Sequence, residues 1–407
     1  MQERELIPRL FKTEYSKIIA VLCKLFGIRH LAEAEDIVND TFLLATETWG
    51  LKGIPADPAA WLYRVAKNKT IDYLRHNKVF SEKVSAALGA ASWHTEAPEL
   101  DLSPPNVQDS QLRMLFVVCH PAIPQEAQVG LALRILCGFG IDEIAEAFLT
   151  GKETISKRLL RARQKLRETG VTTALPGEKE MEARLEAVLT TIYLLFNEGY
   201  YSSTKNSVLR KELCMEAMRL CYLLLQQRHT DTPAVSALLS LMCFHASRFD
   251  ARVDAAGEQI LYEAQNRELW NDALIEKGNY YLIRSAQGAA GKYHLEAAIA
   301  YHHCEKTDSP EKWRHILELY NRLLQLEYSP VAALNRTYAL SKVQGNAAAI
   351  TEASRLQLSG SHLYHSLMGY LYAGTDRQKA AAHYEEALQL AKTAHDRALI
   401  SRRLKQL

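Results

Sequence analysis

Apolar positions recur at three- and four-residue spacing along nearly the whole chain, and no stretch alternates as a half-buried strand does. The pattern predicts an all-α protein. Its sharpest local case spans residues 141–168. Ile141–Phe148 forms a short amphipathic helix, Leu149-Thr150-Gly151-Lys152 a tight turn, and Glu153–Glu168 a longer helix. In that second helix Ile155, Leu159, Ala162 and Leu166 fall at i, i+4, i+7 and i+11, one apolar stripe facing a core. The periodicity breaks at three places. The first is the loop Gly50–Pro58. The second, from Ser81 to Ser110, holds Gly89, Pro98, Pro104 and Pro105 and reads as a linker. The third is Gly170–Glu180, with Pro176-Gly177. These breaks predict small helical domains over 1–80 and 112–170, a linker over 81–111, and a long C-terminal part from 183.

The pattern of the C-terminal part repeats. Tyr293–Glu305 pairs with Trp313–Glu327, Pro330–Lys342 with Ala347–Leu358, and Ser361–Ala373 with Arg377–Lys392. The units start 37 and 31 residues apart (293, 330 and 361), close to the tetratricopeptide period of roughly 34. Leu367, Gly369 and Tyr370, then Ala380, Tyr384 and Ala387, fit best: small residues let two helices approach and a tyrosine fills the groove between them. Residues 291–407 therefore read as tetratricopeptide-like hairpins, and 183–290 as helices without a clear repeat.

Charge sharpens this division. Net charge over the 407 residues is only +2, so bulk basicity argues for no partner. Its distribution is uneven: Lys+Arg against Asp+Glu is 12 to 10 over 1–80, 1 to 5 over 81–111, 9 to 6 over 112–170 and 27 to 26 over 171–407. Two mildly basic modules flank an acidic linker, and a neutral half follows. Between Lys152 and Glu168 the count is seven to two. A short helix, a turn and a basic second helix form the geometry that lays the second helix in a DNA major groove. Its early residues Lys152, Glu153, Thr154, Lys157 and Arg158 reach base edges or near phosphates; Arg161 and Lys165 hold phosphates. In Pro58–Lys78, Arg64, Lys67, Asn68, Arg75 and Lys78 lie within about a 100° arc, opposite Leu62, Val65, Ala66 and Tyr73.

WLYRVAKNKTIDYLRHNK, from Trp61, resembles the −10 recognition helix of extracytoplasmic-function (ECF) sigma factors. LAEAEDIVNDTFLLATETW (31–49) is similar to that family's polymerase-docking helix, and 138–168 to its −35 recognition module. Cys119-His120-Pro121, Ile192–Tyr200 and the repeats resemble an ECF subgroup with a long C-terminal extension. The resemblance implies two small helical sigma domains, the second a helix-turn-helix, joined by the acidic linker and followed by a helical-repeat domain. It implies core RNA polymerase and promoter DNA as partners. Asp36, Ile37, Asp40, Thr41 and Phe42 would meet the polymerase, and Gly50–Asp57 would line a pocket for a flipped base. Trp61, Arg64, Lys67, Asn68, Arg75, His76 and Lys78 would hold the opened −10 strand. The extension would regulate or scaffold this activity and offer its repeats to a peptide or protein ligand.

Other classes fit less of the chain. A helix-turn-helix repressor or activator with a helical-repeat sensor explains 141–168 and 290–407 but leaves 31–78 without a role. No nucleophile elbow, P-loop or H-E-x-x-H occurs, so no enzyme and no cofactor are expected. His294, His302, His303 and Cys304 are near one another in sequence, but adjacent histidines on a helix point to different faces, so no metal is expected. Seven cysteines without a C-x-x-C, no early signal segment and no apolar run of about 18 residues predict a reduced cytoplasmic protein away from the membrane.

Overall fold

The computed structural model describes residues 2–87, 101–148, 150–200, 207–252, 260 and 262–407. Among them every regular element is a helix. The chain divides into two compact units, Met1–Leu195 and Phe196–Leu407.

The first unit begins with α1 (Gln2–Phe26), α2 (Leu31–Lys52) and α3 (Pro58–Ala87). It continues with α4 (Pro104–Val118), α5 (Gln125–Leu131), α6 (Ile141–Ala147), α7 (Lys152–Glu168) and the first part of α8 (Glu178–Tyr200). Helix α1 is its centre: Tyr15, Ile18, Ile19, Leu22 and Cys23 are all fully buried. Helix α2 ends where Gly53 takes φ 83° and its N–H bonds to the Trp49 carbonyl. Asp57 then caps α3, its carboxylate accepting from the Ala60 N–H at 2.9 Å, with Pro58 in the first turn, where its missing N–H costs nothing.

The stretch read as a linker is helical at both ends, because α3 runs on to Ala87 and α4 starts at Pro104. Paired prolines there open a helix, with Ser103 in extended conformation just before them. After α5 the backbone widens into a π-type turn over Ala132–Leu136. Gly138 follows with φ 70°, and a Cβ there would lie 3.4 Å from the Lys12 backbone. Glycine thus supplies both the backbone angle and the close approach to α1.

The second unit holds α9 (Ser207–Leu225), α10 (Pro233–Ser247), α11 (Asp272–Arg284), α12 (Lys292–Cys304) and α13 (Pro310–Leu326). It ends with α14 (Pro330–Gln344), α15 (Asn346–Arg355), α16 (His362–Tyr372), α17 (Arg377–Leu390) and α18 (Ala394–Lys405). Helix α10 is apolar nearly all round, and Val235, Leu238, Leu241, Met242 and Phe244 are buried. Helices α12 to α17 form three consecutive hairpins, α12 with α13, α14 with α15 and α16 with α17. Thr232, Ser309, Ser329, Asp376 and Thr393 cap their helices with side-chain oxygens. In the last hairpin a Cβ on Gly369 would meet the Tyr384 ring at 2.8 Å, the small-residue approach the sequence suggests.

Candidate nucleic-acid interface

Helix α3 carries its polar residues outward. Arg64, Asn68, Arg75 and His76 are exposed and Lys67 is half-buried. Leu62 and Ala66 are buried, and the Tyr73 ring packs 5.4 Å from Phe26. The side chain of Lys78 lies outside the described residues. Trp61 is half-buried and meets Trp49 edge-on with ring centroids 5.3 Å apart. It is part of the α2–α3 packing, with one side still in reach of solvent.

Helix α2 turns differently from the sequence expectation. Ile37, Thr41 and Phe42 face the core: the Thr41 hydroxyl donates to the Ile37 carbonyl at 2.7 Å, and Phe42 lies edge-on to Phe11 at 4.9 Å. The apolar side of α2 is used up by α1, so those three are not presented to a partner. The exposed side holds Asp36, Asn39 and Asp40 with Leu43 (58% exposed), followed by Leu51 (88%). The sequence reading missed these leucines. Their signal was position: each falls off the buried stripe of the helix that holds it.

On α7, which follows α6 after a short turn, Ile155, Leu159, Ala162 and Leu166 are all buried, as the stripe requires. The Glu143 carboxylate accepts from the Gly140 N–H at 2.8 Å, fixing the start of α6. On α7, Lys152, Glu153, Thr154, Lys157, Arg161 and Lys165 are exposed. Lys152 pairs with Asp142 at 2.6 Å and Lys157 with Glu153 at 3.9 Å; both pairs are surface contacts that a phosphate can replace. Arg158 is half-buried, its guanidinium over the Phe148 ring at 5.7 Å. Thr154, Lys157, Arg158, Arg161 and Lys165 border a groove of about 650 Å³ whose far wall is Ala122–Ala127. One face of one helix therefore offers four cations beside a concave wall.

Arg163 faces the other way. It makes a two-pronged contact with the Glu35 carboxylate of α2, 2.8 Å on each oxygen. Arg134 of the π turn lies 3.7 Å from the same carboxylate, and the Tyr15 hydroxyl donates to it at 3.5 Å. Burial, with the Glu35 charge second, pushes the Tyr15 phenol well above its ordinary value. Further contacts join the same two modules: Lys12 to Glu143 at 3.0 Å, Lys24 to Asp109 at 2.7 Å, and Gln111 to Ser16 at 3.3 Å. The module with α3 and the module with α7 are thus packed on each other.

The first part of α8 completes this unit. Arg184 donates to the Phe116 carbonyl at 2.8 Å, and the Thr191 hydroxyl to Gln128 at 2.9 Å. Gln128 in turn donates to the carbonyls of His120 and Ile123. Burial pushes the Cys119 thiol up to about 12, which marks a packing residue rather than a reactive one.

Comparison with known proteins places the first module. Residues 10–79 match the family described as Sigma-70 region 2. This N-terminal Sigma-70 region 2 supports a sigma-70 family sigma factor. A sigma-70 region 2 implies binding to core RNA polymerase and promoter DNA. Residues 184–286 match a family of unknown function, DUF6596. An uncharacterized protein of Rhizobium meliloti (strain 1021) is 35% identical over 386 residues, 93% of this chain and 91% of that protein. No solved structure matches. The region 2 match takes in most of α1, all of α2 and most of α3, and the basic face of α3 lies inside it. Among the described residues no helix is long and apolar enough to cross a membrane. Nor do three or more His, Cys, Asp or Glu side chains gather as metal ligands among them. His302 pairs with Glu305 at 2.8 Å, and Cys304 donates to the Phe244 carbonyl.

Proposed function

We propose that this chain is an ECF-type sigma factor that binds core RNA polymerase and directs initiation at promoters with −10 and −35 elements. The observation that carries the reading is the order of parts in one unit: region 2 with an exposed basic face on α3, then a helix-turn-helix with an exposed basic α7. Arg64, Lys67, Asn68, Arg75, His76 and Lys78 hold the opened −10 strand, and Trp61 supplies the apolar edge beside it. Lys152, Glu153, Thr154, Lys157 and Arg158 meet the −35 bases, and Arg161 and Lys165 the phosphates. On α2, Asp36 and Asp40 with Leu43 form the polymerase-facing side: an apolar anchor with flanking charge. The C-terminal hairpins are tetratricopeptide-like and serve as the regulatory or scaffolding extension.

This reading carries a conformational requirement. Elements named −10 and −35 lie roughly 85 Å apart along B-DNA, at about 3.4 Å per base pair. Two modules in direct contact cannot span that distance. Engagement of both elements therefore breaks the Glu35–Arg163, Lys12–Glu143 and Lys24–Asp109 contacts. The packed arrangement is a resting state.

Binding to core polymerase tests the proposal. The purified chain should co-elute with core enzyme at low salt, and Leu43→Glu should abolish co-elution while leaving the helical circular-dichroism signal intact. Failure of the wild-type chain to associate with core would defeat the reading.

A further inference from the structure

The third hairpin of the second unit carries two histidines that meet ring to ring. His365 stands in α16 and His383 in α17, and their Nδ1 atoms are 3.0 Å apart. The ring centroids lie 5.2 Å apart, so the two nitrogens face each other with room for a proton between them. The other nitrogen of His365, Nε2, lies 2.8 Å from the Ser359 carbonyl. A carbonyl only accepts, so this Nε2 carries a proton. The chain of bonds therefore runs from α17 through α16 to the turn that leaves α15. That turn holds Gln357 at φ 52°, the one non-glycine residue with a positive φ among those described.

Both histidines are half-buried. Tyr372 stacks on His383 with centroids 5.7 Å apart, and Tyr364 meets His365 edge-on at 5.1 Å. The Lys379 ammonium of α17 lies 5.4 Å over the Tyr372 ring. The carboxylates of the packed helices are engaged elsewhere: Asp376 with Lys379 at 3.3 Å, Asp396 of α18 with His362 at 3.8 Å, and Glu352 of α15 with Arg336 and Arg355. Glu385 and Glu386 of α17 bond to neither ring. Of the cations, Lys342 of α14 pairs with Glu263, and Arg403 of α18 lies over Tyr370. Among the described residues no anion contacts either imidazole, so nothing offsets a second positive charge there. Burial first, and the His365 charge second, hold the His383 imidazole below its ordinary value.

We propose that the His365–His383 pair is a proton-operated latch, which fastens the third hairpin to the α15–α16 turn and opens when both rings are charged. The proton count sets how it works. With no net charge, His383 donates its Nδ1–H to the bare Nδ1 of His365, whose Nε2–H holds Ser359. One added proton goes to Nε2 of His383, and the bond persists with a charged donor. A second must go to Nδ1 of His365. Two N–H groups on two cations then face each other, and the contact is lost. The unfolded chain takes up both protons near the ordinary histidine value of about 6.5, whereas the folded pair resists the second. The latch therefore contributes stability above that pH and loses it as the pH falls below. All groups involved belong to the second unit, so the proposal stands apart from the reading of the DNA-binding modules.

The test uses the full chain with ¹⁵N-labelled histidine rings, titrated by NMR between about pH 7.5 and 5. The two signals, assigned by their loss in H365Q and H383Q, should titrate as a coupled pair whose second step lies about one unit or more below the first. Removing either ring should return the other to a single ordinary step. Hydrogen exchange over residues 356–366, corrected for the intrinsic effect of pH, should quicken about tenfold across the same range. It should change little in H383Q, because glutamine offers both a donor and an acceptor and keeps the bond in either state of His365. Melting temperatures at about pH 7.5 check that the variants fold; if H383Q does not, the wild-type titration decides. Two independent titrations near the ordinary value would overturn the proposal. So would exchange that is insensitive to pH, or that quickens equally in the wild type and H383Q.

Discussion

Arg158 and Arg163 stand five positions apart on α7, roughly 140° round the helix at about 100° per residue. That rotation separates their roles. Arg158 borders the exposed groove over Phe148, whereas Arg163 turns into the unit and grips Glu35. Arg158→Ala should weaken binding to a −35 duplex by about 1–3 kcal/mol, and by more on the cognate sequence than on a scrambled one. Anisotropy titrations of the two duplexes with the polymerase-bound chain measure this. An equal loss on both would assign Arg158 to phosphate alone. The buried stripe of α7 was legible in the sequence because it is periodic. The Arg163–Glu35 pair was not, since its partners lie 128 residues apart and no local rule links them. The burial of Ile37, Thr41 and Phe42 was not legible for a related reason: an amphipathic pattern shows that one side is buried but does not say which residues of a charged helix meet a partner.

Among the elements, the hairpins of the second unit were the most legible. Their starts are written as Ser-Pro or Thr-Pro pairs and as capping side chains, and Gly369 marks the closest approach between helices. Elements at the edges of the modules were harder. Prolines 104 and 105 read as breakers but open α4. Helix α8 was placed wholly in the extension, yet its first half closes the core of the first unit, with Leu185, Val188, Leu189, Ile192 and Leu195 buried. Periodicity reports that a helix has an apolar face, not which neighbour covers it. A chain cut after Gly170 should therefore expose the surfaces of α4 and α5 that α8 covers, and aggregate or lose its cooperative melt. A chain ending at Leu195 should retain that melt. Thermal unfolding by circular dichroism distinguishes them, and equal behaviour of the two would show that α8 adds nothing to the first unit.

At the scale of the whole molecule, the central question is how two packed modules, both proposed to read DNA, would reach separate elements. All seven cysteines are buried, so dyes can be placed selectively on D72C and Q164C, at exposed positions of α3 and α7. Transfer between the dyes should be high in the free chain and fall when core polymerase and promoter bind. E35Q should lower it in the free chain as well, because the half-buried guanidinium of Arg163 loses its charged partner. Unchanged transfer on polymerase and promoter binding would show that the modules do not separate. The most direct test of the account is transcription itself. Core polymerase with and without the intact chain is supplied with fragmented genomic DNA, and transcript 5′ ends are sequenced. The account predicts discrete new starts that share paired upstream elements and vanish with core alone. Binding of the chain to DNA without polymerase, with no new starts, would contradict it.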